Sequence, residues 1–78
     1  MDEDPLIVET YAGYKGERTP RAFLCEGLRR EVMRVMDTWY TDRYCYFRLC
    51  ADDGYRYVMR HEFEKDWWEL VMREQGEQ

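Results

Sequence analysis

Serine and asparagine are absent from this chain, and histidine occurs once, at His61. The lack of serine removes the seryl nucleophile, and the lack of asparagine removes both an orienting amide for a catalytic imidazole and an acceptor for N-linked sugar. A single histidine leaves no paired-histidine metal site or histidine relay. The five glycines are scattered and spell neither a dinucleotide fingerprint nor a phosphate loop; Gly13 and Gly16 alone are too sparse a match. No apolar run approaches the roughly 20 residues of a membrane span. Nor does an apolar stretch of signal length precede the first patterned segment, where Leu6 to Val8 follows acidic residues. Three cysteines, Cys25, Cys45 and Cys50, are an odd number for a disulfide framework. The expectation is a cytoplasmic chain with reduced thiols and no membrane association.

Lysine is nearly missing too, at two residues against ten arginines. Arginine stacks on aromatic rings and forks onto carboxylates, so this bias suits a surface of Tyr, Arg and Glu side chains packed on one another. The 78 residues include 17 acidic and 12 basic side chains, for a net charge of -5, which repels phosphate backbones unless the positive charges are segregated. A chain this short holds one domain and hides only about 60% of its unfolded surface. Its 3 Trp, 7 Tyr, 3 Phe and 5 Met concentrate apolar area on few residues and compensate for that.

Along the chain, residues 1–4 are acidic and unpatterned, residues 5–73 read as one β-rich domain, and residues 74–78 as a disordered tail. Leu6 to Tyr11 clusters β-branched and aromatic residues as a strand does, and residues 12–20, with Gly13, Gly16 and Thr19-Pro20, read as a loop. Glu26-Gly27 fits a two-residue hairpin turn pairing Cys25 with Leu28 and Phe23 with Arg30. Val35 and Trp39 then lie an odd distance from Val32. Because side chains alternate with period two, both sets reach one core only through a bulge near Met33 or Arg34.

Asp52-Asp53-Gly54 separates two aromatic-rich runs. A three-residue loop with glycine third pairs Leu49 with Tyr57, Phe47 with Met59 and Cys45 with His61, which makes one face apolar. A two-residue Asp53-Gly54 turn would set Phe47 against Arg60 and spoil that segregation. Tyr40 to Arg43 is a polar interruption short enough for another hairpin. In the C-terminal segment Trp68, Leu70 and Met72 alternate as in a strand, while Phe63, Trp67, Leu70 and Val71 have helical spacing; a closing strand is preferred and a short helix stays open.

The chemical candidates are few. Three cysteines and His61 are a zinc inventory without the close-spaced pairs, and Cys45 and Cys50, five apart on one strand, leave opposite faces. Cys45 falls opposite His61, which reads as two small side chains meeting at the end of a core face rather than as a thiol nucleophile with its base. Asp52-Asp53 and Glu62 with Glu64 read as turn and solvated-loop residues. No catalytic residue, metal or cofactor is expected. What stands out is the face opposite the core, where Tyr44, Tyr46, Arg48, Arg56 and Arg60 gather, with Arg34 and Tyr40 as extensions. Aromatics interleaved with arginine are the composition of protein-interface hot spots and of single-stranded nucleic-acid platforms. The same pairs also stabilise a solvated sheet face with no partner at all.

The order of landmarks Pro20-Arg21-Ala22-Phe23, Glu26-Gly27, Val32, Val35-Met36-Asp37 with Trp39, Tyr46-Phe47-Arg48, Asp53-Gly54, Tyr57 with Met59, and Trp68 with Leu70 resembles a family of small uncharacterised bacterial domains, some encoded near error-prone DNA-repair polymerase genes. The resemblance spans Pro20 to Leu70 and implies a fold rather than an activity, since its landmarks are core aromatics, glycine turns and an aspartate.

The sequence thus predicts a mainly β protein, a single antiparallel meander of five to six strands curled into a partly open small barrel. Its expected core is Phe23, Val32, Val35, Trp39, Phe47, Leu49, Tyr57, Met59, Trp68 and Leu70. The expected role is a non-enzymatic module that binds another protein through the Tyr and Arg face or by strand addition at an open edge. Nucleic acid is the rival partner, disfavoured by net charge, and monomer and weak homodimer are both open.

Overall fold

The computed structural model describes residues 6–12 and 18–75. Residues 1–4, the glycine-bearing stretch 13–17 and the end of the expected tail, 76–78, lie outside the described residues. Six antiparallel strands follow one another in chain order: β1 Ile7–Ala12, β2 Arg18–Cys25, β3 Leu28–Tyr40, β4 Tyr44–Ala51, β5 Tyr55–Glu62 and β6 Trp67–Gln75. They form one meander sheet curled into an open half-barrel, with no helix among the described residues. An isolated antiparallel bridge joins Leu6, just before β1, to Trp68 of β6.

The turns set the registers. Glu26 and Gly27 both have positive φ, 54° and 80°, as a type I′ turn requires, and Cys25 pairs with Leu28 and Phe23 with Arg30. At Asp52-Asp53-Gly54 the Gly54 amide donates to the Ala51 carbonyl at 3.1 Å, Gly54 has φ 85°, and the Asp53 carboxylate accepts the Tyr55 amide at 3.0 Å. This three-residue loop pairs Leu49 with Tyr57, Phe47 with Met59 and Cys45 with His61. Between β3 and β4 the Thr41 hydroxyl accepts the amides of Arg43 and Tyr44 and tightens the reversal.

Those registers turn Phe23, Cys45, Phe47, Leu49, Ala51, Tyr57 and Met59 to the inside, where Leu6, Val8, Cys25, Val32, Val35, Tyr55 and Trp68 pack around them. Phe23 meets Tyr57 edge-on at 4.9 Å between ring centroids, and Phe47 lies 5.7 Å from Trp68.

Two expected core residues are elsewhere. The bulge at Met33 is present, but β3 carries a second extra residue, Met36, between the Val35–Leu49 and Asp37–Arg48 pairs. Each insertion reverses the alternation, so Val32 and Val35 share the core face while Trp39 emerges on the opposite one, 39% exposed. Leu70 pairs with the buried Met59 yet is 38% exposed, because β6 is an edge strand with nothing beyond it at that point among the described residues. A third insertion, Val71, follows it, and the C-terminal segment is a strand rather than a helix.

Boundaries differ as well. Ala12 closes β1 and β2 opens at Arg18, so only 13–17 separates them, and β6 runs to Gln75, two residues past the boundary expected at 73. Pro20 is fully buried inside β2. It lies beyond the stretch Ala22–Cys25 where β2 pairs with β3, and beside a register shift against β1, so its missing N–H interrupts no ladder on the β3 side.

Two carboxylates, the half-buried Asp53 and the buried Glu62, tie the turns down. Asp53 accepts the Tyr57 hydroxyl at 2.6 Å and faces Arg30 at 3.5 Å. Burial pushes the Asp53 carboxyl up, but the bonds from Tyr57 and the Tyr55 amide and the Arg30 charge outweigh it and hold it below the usual carboxylate range. Burial, together with the neighbouring Asp53, pushes the Tyr57 phenol up to about 12. Glu62, expected in a solvated loop, is only 1% exposed. It accepts the Lys65 amide at 2.8 Å and faces Arg43 at 3.3 Å, while its carbonyl accepts the Asp66 amide at 2.8 Å, which folds the chain back from β5 to β6.

Two expectations follow for stability. The Asp53 contribution is present above the unfolded carboxylate pKa of about 4 and fades as pH falls. The Tyr57 contribution is complete below the ordinary phenol value of 10.0 and is lost as pH rises toward about 12. Urea unfolding across pH should show both limbs, and Tyr57→Phe should abolish the alkaline limb while costing about 1–2 kcal/mol at neutral pH. Separately, Glu26 sits at φ 54°, where asparagine is better tolerated, so Glu26→Asn should raise the unfolding free energy by about 0.5–1 kcal/mol.

Candidate functional site on the outer sheet face

With the core face filled, the opposite side of β3 to β6 is built from cross-strand rows. Trp39, Tyr46, Arg60 and Glu69 form the first. Asp37, Arg48, Val58 and Met72 form the second, and Arg34, Cys50, Arg56 and Glu74 the third. Tyr44 flanks the first row, opposite Glu62. All five residues expected at the site therefore share one face, along with Arg34. Tyr40 does not join them: it pairs with Cys45, on the core-side register, and is 60% exposed at the strand end.

The first row is the most organised. The Trp39 and Tyr46 rings stack 5.3 Å apart and 3° from parallel, and Tyr44 lies 5.9 Å from Tyr46 at a tilt of 56°. Arg60 lays its guanidinium 4.0 Å from the Tyr44 ring centroid, donates to the Tyr46 hydroxyl at 3.1 Å and to Glu69 at 2.6 Å. The Tyr46 hydroxyl and the Glu69 carboxylate both favour the charged guanidinium and raise the Arg60 pKa further. This is a fixed aromatic platform locked by a cation.

The second and third rows are looser. Arg48 approaches Asp37 at 3.7 Å, and its stem flanks Val58, which is buried despite facing outward. The Nε atoms of Arg48 and Arg56 are both buried without a hydrogen-bond acceptor. Cys50 points its thiol at the Met36 sulfur, 3.3 Å away. Trp39 is the member that sequence reasoning missed. Only the Met36 insertion moves it there, and neither composition nor spacing around Val35-Met36-Asp37 marks that insertion.

The other chemical candidates lie on and beside the core face. His61 and Cys45 are cross-strand neighbours, as their spacing implies, but Cys45 is 4% exposed. The His61 ring packs 4.8 Å from Trp68 and shares a 2.6 Å hydrogen bond with Asp66, whose carboxyl is held low by that bond and by Arg18 at 2.9 Å. No three His, Cys, Asp or Glu side chains among the described residues gather as a metal-binding group.

A double-mutant cycle on Arg60 and Glu69 measures how rigidly the platform is held. The expected coupling is about 0.5–1 kcal/mol, shrinking by more than half at about 1 M salt. Comparison with known proteins finds no matching family model, curated protein or solved structure.

Proposed function

We propose that this protein is a non-enzymatic protein-interaction module whose outer face, centred on Trp39, Tyr46, Tyr44 and Arg60, receives the partner. The carrying observation is the exposed Trp39 stacked in parallel on Tyr46 over a rigid sheet. Tryptophan, tyrosine and arginine dominate binding hot spots because they bury large area at small entropic cost when their geometry is already held. Here Arg60 and Glu69 hold it before any partner arrives.

A single-stranded nucleic acid is the second reading, favoured by the Arg60 guanidinium lying against two tyrosine rings on an open sheet face. Against it, Asp37 and Glu69 stand among the arginines, and the chain carries net charge -5. Strand addition at β6 is less favoured. Its edge exposes Trp67, Val71 and Met72, but the Val71 bulge and the charges of Glu69, Arg73 and Glu74 blunt it.

Trp39→Ala should lower the melting temperature by about 4–8 °C while leaving the chain folded, and weaken peptides selected for binding to the wild-type chain by at least about ten-fold, a loss of about 1.4 kcal/mol. An oligothymidylate of about 15 nucleotides, long enough to span a stacking platform, should show no saturable fluorescence-anisotropy change at near-physiological salt. Tight oligothymidylate binding, steeply salt-dependent and lost in an Arg48→Ala, Arg56→Ala double variant, would transfer the face to nucleic acid.

A further inference from the structure

We propose that the outer face takes an extended acidic protein segment, with an apolar or aromatic side chain on the Trp39–Tyr46 stack and a carboxylate between Arg34 and Arg56. The proposal deepens the reading of this face as the binding surface and rests on it.

On the outer face of the two central strands, β4 and β5, the charges are the half-buried Arg48, Arg56 and Arg60; the one carboxylate in that register, Glu62, is buried. Two of these arginines are engaged by carboxylates from the flanking strands, Arg60 by Glu69 and Arg48 by Asp37. Arg34 and Arg56 form no ion pair among the described residues, although Glu74 is the register partner of Arg56. They flank Cys50 in one row, one from each neighbouring strand. Two arginines that flank one row from either side suit a carboxylate, the group that accepts forked guanidinium bonds.

The distance between the two ends of the face sets the ligand's spacing. Tyr46 and Cys50 are four residues apart on β4. At about 3.3 Å per residue the aromatic stack and the arginine row lie roughly 13 Å apart. An extended segment running along β4 therefore reaches both with side chains four positions apart, which also leave the same side of that segment. Asp37 stands between the two ends and Glu69 in the row of the stack, and both repel a polyanion charged at every step but not a segment with charge only at the arginine end. That arrangement favours a protein segment over a nucleic-acid strand.

The test is selection from a displayed random-peptide library against the full 78-residue chain. The enriched peptides should carry Asp or Glu four positions from an aromatic or large apolar residue. Their synthetic versions should lose about ten-fold or more in affinity when that acid becomes its amide, and equally in an Arg34→Ala, Arg56→Ala double variant. If the alanine pair does not fold by circular dichroism, Arg34→Gln with Arg56→Gln keeps most of each stem and serves instead. Peptides that require Trp39 yet bind the arginine variants undiminished would overturn the acidic-segment inference and leave the binding face standing. Enrichment indifferent to Trp39→Ala, or no enrichment, would overturn both. Displacement of the selected peptides by the oligothymidylate at near-physiological salt would overturn the inference in favour of nucleic acid.

Discussion

The register of β4 on β5 is the constraint on which the rest of this structure depends. These central strands carry most of the core, and side chains alternate along them, so shifting their pairing by one residue would exchange buried rows for exposed ones. The turn Asp52-Asp53-Gly54 holds that register through glycine's positive φ and through Asp53, which bonds the Tyr55 amide and the Tyr57 hydroxyl. One carboxylate thus closes a turn and satisfies the polar end of a core aromatic. Because Arg30 also reaches it, the same group joins the hairpin of β4 and β5 to the one before it.

Curvature comes from irregularities rather than from the regular ladder. β3 is long enough to pair with β2 through its first residues and with β4 through the remainder. Its extra residues Met33 and Met36 increase local twist and let one strand serve both halves of the half-barrel. Their second effect is on face. Two reversals return the alternation to where it began, and Trp39 is thereby delivered to the outer surface, beside Tyr46 and Arg60. Shape and candidate binding surface share one physical cause.

A chain of this size has few apolar residues to spare, and the described structure uses polar groups to complete what the core leaves open. Glu62 is buried at the β5 to β6 reversal, where its two carboxylate oxygens serve the Lys65 amide and the Arg43 guanidinium. On the outer face, Val58 is buried beside its cross-strand partner Arg48, whose charged end faces Asp37 of the neighbouring strand. The bias toward arginine over lysine follows from this double use: a planar fork can stack on Tyr44 and bond to Glu69 at once.

By itself the sequence determined the antiparallel meander, both glycine turns with their registers, the first bulge of β3 and the sharing of one face by Tyr44, Tyr46, Arg48, Arg56 and Arg60. These are local matters, decided by period-two alternation and by the φ angles a turn demands. Only the tertiary structure decided that Trp39 leaves the core, that Leu70 is half-exposed and that Glu62 is buried. Each of these depends on what lies across a strand or beyond an edge. A second bulge is visible only as a pairing between β3 and β4, an edge only as the absence of a neighbour beside β6, and a buried carboxylate only as the approach of Arg43 from another turn. Side-chain alternation is written in the chain, but the partner strand decides where it is interrupted.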